Sequence, residues 1–249
     1  MPYASGPRNS ILAALPRADW DAIKSKFEEV PLNFGDVLVE ADKPARRVYF
    51  PLAGVVSTVA LFDTGASVEM ATIGAEGVVG IAAVLGSDRA ISHHNVQVAG
   101  QALAIDFVTF RQWQQEIPAF NAILLSYTQA FIAQILQSVA CNALHPVQDR
   151  AARWLLTCDD RSGVREFALT QQFFSEMLGV SRAMVNTVAR TFQLAGYIRY
   201  SRGVITINDR AALEEASCEC YAIIHHAYTS RGVRLQPMPV PLNDDEHSM

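Results

Sequence analysis

No stretch of the chain limits its fold more than residues 169–208, LTQQFFSEMLGVSRAMVNTVARTFQLAGYIRYSRGVITIN. Thr170 is placed to cap a first helix on which Phe173, Phe174, Met177 and Leu178 recur at helical spacing, and Gly179 ends it. Ser181 is placed to cap a second helix, with Met184, Val185, Val188, Thr191, Phe192 and Ala195 recurring every three or four residues. Two short helices joined by a Gly-containing turn form a helix-turn-helix. The second helix then carries Arg182, Asn186, Thr187 and Arg190 on its solvent side, where Arg and Asn can pair with guanine and adenine edges in a major groove. Beyond Gly196, residues 197–200 and 204–208 alternate around Ser201-Arg202-Gly203, a hairpin with a basic tip that reads as a wing. Between Thr170 and Arg202, the arginines at 182, 190, 199 and 202 face a single acid, Glu176, in a chain of formal charge −5. A small helical subdomain with ordinary exposed arginines would explain the helices alone. The hairpin and the focused charge together favour DNA binding.

With 249 residues, 50% of them hydrophobic, the chain is long enough for two domains with cores of their own. The N-terminus lacks a long apolar run, and no later stretch approaches the roughly eighteen uninterrupted apolar residues of a membrane span, so a cytoplasmic location and no membrane partner are expected. Cys141, Cys158, Cys218 and Cys220 lack the paired spacing of a zinc site and the framework of a small secreted protein. Cys218 and Cys220, read as helical, fall on different faces, which argues against a site shared with His225 or His226. No cysteine precedes Cys141, so an N-terminal iron-sulfur cluster lacks ligands. Adjacent His93 and His94 on a strand would point to opposite faces, and are read as loop or surface residues. No metal and no cofactor is expected. No enzyme is expected either: P-loop, Ser-containing elbow and HExxH are all missing, and Gly74, Gly77 and Gly80 lack the spacing of a dinucleotide fingerprint. A catalytic roll of cupin type would need a His/Glu metal cluster that His93 and His94 alone do not supply.

Upstream, residues 10–27 give two short helical pieces divided by Pro16. Short runs rich in β-branched and aromatic residues follow at 37–39, 48–50, 55–61, 68–73, 95–98 and 102–105. Turn formers at 33–36, 51–54, 63–65 and 74–77 separate them, which indicates an antiparallel barrel or roll. Pro118 starts a long helix running to about Ala143. On it Ile117, Leu124, Phe131 and Ser138 are spaced by seven, with Phe120, Tyr127, Gln134 and Cys141 interposed, as in a short coiled-coil seam or a core helix packed on the roll. His145-Pro146 is a hinge, residues 147–158 a helix, 159–166 a polar loop, and 209 to about 226 a helix packing back on its own domain.

The run from Leu169 to Ile207 resembles the winged helix-turn-helix of the Crp/Fnr family of bacterial transcription regulators. The likeness continues upstream, where NFGDVLVEADKPARRVYFPLAGVVS is similar to the opening strands of that family's cyclic-nucleotide-binding-like roll. Gly74-Ala75-Glu76-Gly77-Val78-Val79-Gly80 resembles the segment leading into the ligand cassette. The resemblance implies an α+β chain. It has an N-terminal antiparallel jelly-roll or β-roll sensor domain (1–116), a long dimerisation helix and hinge (117–145), a C-terminal winged helix-turn-helix DNA-binding domain (146–228) and a flexible tail (229–249). It also implies a homodimer on a palindromic double-stranded DNA operator, with RNA polymerase as a further partner. Matched to the family, Thr170, Gln171 and Ser181 donate to phosphates, Arg182, Ala183 and Thr187 occupy recognition positions, and Asn186, Arg190 and Arg202 complete the DNA-binding set. Ala183 and Thr187 replace a glutamate and an arginine of the best-known members, so a different operator is expected. Leu124, Tyr127, Phe131, Ile135 and Ser138 are the implied dimer interface. Gly80, Ile81, Ile91, Ser92 and Ile135 are the implied effector pocket. A cyclic nucleotide needs a carboxylate for the ribose and an Arg-Ser pair for the phosphate, and Ile81 and Ile91 stand where the glutamate and arginine would be. Binding of cyclic AMP in the usual mode is therefore not expected, and the effector is left open. The remaining alternative is a small-molecule sensor whose helical domain contacts protein rather than DNA.

Overall fold

The computed structural model describes residues 7–162 and 166–235. Five antiparallel strands form the N-terminal roll: β1 (Glu28–Leu32), β2 (Val37–Val39), β3 (Arg47–Leu61), β4 (Ser67–Ile73) and β5 (His93–Asp106), in the order β1-β5-β3-β4 with β2 also on β5. The runs expected as separate strands at 48–50 and 55–61 are one strand, as are those at 95–98 and 102–105. The turn formers between them are absorbed as register shifts at Pro51/Ala53, Ala53/Val55 and Val55/Val56. Gly100 permits this, because a Cβ there would stand 2.1 Å from the Ala53 carbonyl oxygen. Two short helices, α1 (Ser10–Ala13) and α2 (Arg17–Ile23), precede the roll. The Asn9 side chain caps α1 and donates to the carbonyls of Pro51 and Gly77, fastening this segment to the sheet. Helices α3 (Ile81–Val84) and α4 (Phe107–Glu116) complete the domain around a core that includes Phe50, Ile73, Phe110 and Phe120.

Helix α5 (Pro118–Leu144) is 27 residues long and is long and apolar enough, by length and composition alone, to cross a membrane. Its apolar character has a structural explanation, since it is hydrophobic on two sides. Phe120, Leu124, Tyr127 and Phe131 belong to the roll's own core, and Gln134, Ser138 and Cys141 are buried on the same side. The face expected to be a dimer seam is therefore spent inside the protomer: Leu124, Tyr127, Phe131 and Ser138 are buried, and Ile135 is half-buried against the same core. The exposed side carries Leu125, Ile132, Leu136 and Val139.

The C-terminal segment begins with α6 (Val147–Ser162), four residues longer than the expected helix, so residues 159–162 of the expected polar loop at 159–166 are helical. Then come β6 (Glu166–Ala168), α7 (Gln171–Leu178), α8 (Arg182–Leu194), β7 (Ile198–Ser201), β8 (Val204–Ile207), α9 (Arg210–Glu215) and α10 (Cys220–Thr229). The three strands pair as β6-β8-β7, which gives the wing a third strand that was not expected, only its first residue, Glu166, falling within the expected loop. The last expected helix is two. α9 packs on α6, whereas α10 turns away and lies along α5, putting Ile224, Tyr228 and the following Val233 into the roll's core. Residues 229–235 are thus partly built into the fold; the rest of the expected tail, 236–249, lies outside the described residues. Cys218 sits in the turn before α10 rather than on it, so the different-faces argument does not apply to it.

The two domains share a core. Val55, Val59 and Val98 of the roll cluster with Trp154, Leu155, Phe174 and Leu178 of the C-terminal segment. The indole of Trp154 donates to Glu69 Oε1 at 2.8 Å, and Arg161 Nε pairs with Glu76 Oε1 at 2.8 Å, both groups of that pair being almost wholly buried. Arg161 also donates to Gln134 on α5 at 2.8 Å, so one guanidinium joins roll, long helix and C-terminal domain.

Candidate nucleic-acid interface

Local chemistry sets the helix-turn-helix as its spacing predicts. The Thr170 hydroxyl accepts from the Phe173 amide at 3.1 Å and starts α7. Gly179 ends it in the left-handed region at φ +64°. Ser181 accepts from the Met184 amide at 3.3 Å and starts α8. On α8, Val185, Val188, Ala189 and Phe192 are buried, while Met184, Thr191 and Ala195 of the expected apolar face are exposed. The opposite face presents Arg182, Ala183, Asn186, Thr187 and Arg190 to solvent. Gln171 Nε2 donates to Asn186 Oδ1 at 2.6 Å, holding that amide in place. The Thr187 hydroxyl donates to the Ala183 carbonyl at 3.1 Å, which leaves its lone pairs and methyl outward.

The wing closes with a two-residue loop. Ser201 pairs with Val204, and Arg202 and Gly203 between them both have positive φ, +52° and +76°. Positive φ at both loop positions is the requirement of a type I′ turn, whose twist matches the strands. The Tyr200 amide donates to Gln193 Oε1 at 3.1 Å and the Tyr200 hydroxyl donates to the Leu169 carbonyl at 2.8 Å, which ties wing, α8 and the start of α7 together.

Between these elements lies a groove of about 700 Å³. Every expected DNA-binding residue lines it except Ser181 and Ala183. Gln172, Gln193 and Tyr200 also line it and were not expected. Its charge comes from Arg182, Arg190 and Arg202, no acid lines it, and none of the three makes an ion pair among the described residues. Arg199, counted with them in the sequence, instead pairs with Glu166 at 2.5 Å across the wing.

Residues 149–216, spanning α6 through α9, match the family model described as a Crp-like helix-turn-helix domain. This segment is a Crp-like helix-turn-helix domain. Among curated proteins it is similar to the CRP-like cAMP-activated global transcriptional regulator of Mycobacterium tuberculosis, 22% identical over 199 residues, covering 77% of this chain and 89% of the relative. Its fold is similar to that of a Crp/Fnr-family transcriptional regulator from Eubacterium rectale (TM-score 0.63, 17% identity, 81% of this chain and 94% of that one). It is also similar to the c-di-GMP-responsive global regulator CLP of Xanthomonas campestris (TM-score 0.59, 16% identity, 77% and 99%).

The residues expected to form a Crp/Fnr-type effector pocket are dispersed in their roles. Gly80 is buried at φ +124° and leads into α3, Ile81 is in the roll's core, Ile135 packs partly against that core, and Ile91 is 73% exposed. Ser92 is buried and reaches His94 Nε2 at 3.3 Å, whose Nδ1 is 3.2 Å from the Thr58 hydroxyl. His94 is therefore an interior strand residue, not the surface residue expected, and burial, helped by the neighbouring His93, lowers its pKa to about 4. The alternation of the pair holds, with His93 only half-buried.

Proposed function

We propose that the protein binds a palindromic double-stranded DNA operator as a cytoplasmic homodimer, with α8 in the major groove and the wing tip on the backbone. The observation that carries this reading is the acid-free groove in which Arg182, Arg190 and Arg202 converge with Gln171 and Asn186. An acidic chain keeps DNA affinity low elsewhere, so a focused basic groove favours specific over diffuse binding. The exposed row Leu125, Ile132, Leu136 and Val139 supplies the apolar stripe a symmetric helix pair needs, in place of the buried residues first assigned that role. The roll does not bind cyclic AMP in the usual mode on this reading, because the position of the ribose-binding carboxylate holds Ile81, committed to the core.

The test is selection of bound fragments from genomic DNA by the full chain, with and without cyclic AMP, followed by titration of the recovered site. One palindromic motif, unaffected by cyclic AMP, is expected. Arg182→Ala should cost about 1–3 kcal/mol against that motif, roughly 5- to 150-fold in Kd, with the dimer intact. Recovery of a motif only with cyclic AMP would refute the reading of Ile81. Unchanged operator affinity in the variant would refute the placement of α8.

A further inference from the structure

Four ligand-type side chains from two distant segments meet where α5 hands over to the C-terminal domain. Cys141 and His145 lie one turn apart at the end of α5, and Cys218 and Cys220 bracket the turn into α10. The three Sγ atoms and a ring nitrogen of His145 all lie within 4.8 Å of one another. Cys141 Sγ is 3.5 Å from Cys218 Sγ, and Cys220 Sγ is 3.4 Å from His145 Nδ1. A tetrahedral zinc ion, with Zn–S of about 2.3 Å and Zn–N of about 2.0 Å, spans S–S edges of about 3.8 Å and S–N edges of about 3.5 Å. Both measured edges fall within a few tenths of an ångström of those values.

We infer that Cys141, His145, Cys218 and Cys220 form a structural site for one thiophilic divalent cation, Zn²⁺, in a three-sulfur, one-nitrogen tetrahedron. The surrounding groups fit this assignment. His145 presents Nδ1 to the sulfurs while its Nε2 stands 3.3 Å from Glu219 Oε2, the carboxylate–histidine arrangement that orients a metal-binding ring. Gln137 Nε2 donates to Cys220 Sγ at 3.0 Å, a hydrogen bond that steadies a ligating sulfur. Three thiolates around one divalent ion leave a net charge of about −1. Nearby are Arg150 and Arg153, both buried, with Nε atoms that find no hydrogen-bond partner among the described residues. Their charges act on Cys141, and that of Arg150 also on Cys218. Four ligand atoms that all lie within 4.8 Å of one another suit one ion rather than an iron-sulfur cluster, which spreads its ligands over two or more irons. The ion ties the turn before α10 to the end of α5 on both sides of the His145-Pro146 junction.

The experiment uses the full-length chain, reduced, stripped with a chelator and titrated with Co²⁺. One ion per chain is expected, with the strong thiolate-to-cobalt absorption and visible bands of a tetrahedral site, displaced by Zn²⁺. Cys158→Ser should keep the spectrum, because that thiol lies in the other core, against Gln97. Cys218→Ser should lose it, and Glu219→Gln should weaken cobalt affinity about 10- to 100-fold while preserving the spectrum. The wild-type titration decides the matter even if a cysteine variant fails to fold. Absence of cobalt and zinc uptake by protein with four titratable thiols would overturn the assignment. So would a Cys141–Cys218 disulfide as the only chemistry observed, which would make the pair a redox couple instead.

Discussion

Arg202 adopts φ +52°, a conformation that glycine takes freely and a β-carbon disfavours by about 1 kcal/mol. A residue held in that state at a wing tip, beside a groove of unpaired arginines, is retained for its side chain rather than its backbone. Arg202→Gly should leave the fold as stable or slightly more so. It should also weaken binding to all DNA sequences alike and reduce the salt dependence of log K by about one, measured by anisotropy at several salt concentrations. Glu69 shows the opposite economy, a carboxyl kept in the interior. Burial raises its pKa to about 7, against the opposing hydrogen bonds from Ser57 and Trp154. The Ser57 hydroxyl contacts both Glu69 Oε2 and Gln97 Oε1 with a single proton to give, so a protonated Glu69 that donates to Ser57 satisfies the whole chain. A pKa higher in the folded than in the unfolded chain means stabilisation that is complete below about pH 4.5 and lost as pH rises through about 7. In denaturant titrations the wild type should lose stability relative to Glu69→Gln across that interval, by about 3 kcal/mol in total. Equal pH profiles would show that Glu69 is not buried as described.

Helix by helix, what the sequence discloses depends on whether the signal is local. Thr170, Gly179 and Ser181 announce the ends of α7 and α8 because capping is decided within three or four residues, and the structure places all three as read. α5 resists the same approach. Two rows spaced by three and four run along it, one through Leu124 and Phe131 and one through Leu125, Ile132 and Val139. Only the packing of the roll decides which is spent inside. The pattern therefore points to a buried helix without saying which face is left over. Changing Ile132 and Leu136 to Asp should give a folded monomer by sedimentation with poor operator affinity. Phe131→Asp should instead unfold the roll, since Phe131 stacks on Tyr127 in its core. The cysteines were unreadable for a related reason: each half of the cluster is a weak local pattern, and its meaning comes from α10 folding back over some seventy residues of chain onto α5.

Taken whole, the molecule joins its parts through interior contacts. The salt bridge between Arg161 and Glu76 is buried on both sides, and the Glu76 carboxylate also accepts from the Gly74 amide, so the roll's glycine-rich loop and α6 share one anchored charge pair. Removing one member leaves the other charge stranded in the interior. Arg161→Met should cost about 3–5 kcal/mol in global stability by denaturation, and pairing it with Glu76→Gln should recover part of that loss. The shared core of Val55, Val59 and Val98 with Trp154 and Phe174 bears on engineering as well. Grafting residues from 147 onward to a foreign roll would separate an indole and a guanidinium from the buried carboxylates that receive them here, and would expose the apolar surface packed around them. Such chimeras should be built by carrying the β3–β4 face along with the reader, because here the seam of interchangeability runs through the roll and not through the hinge.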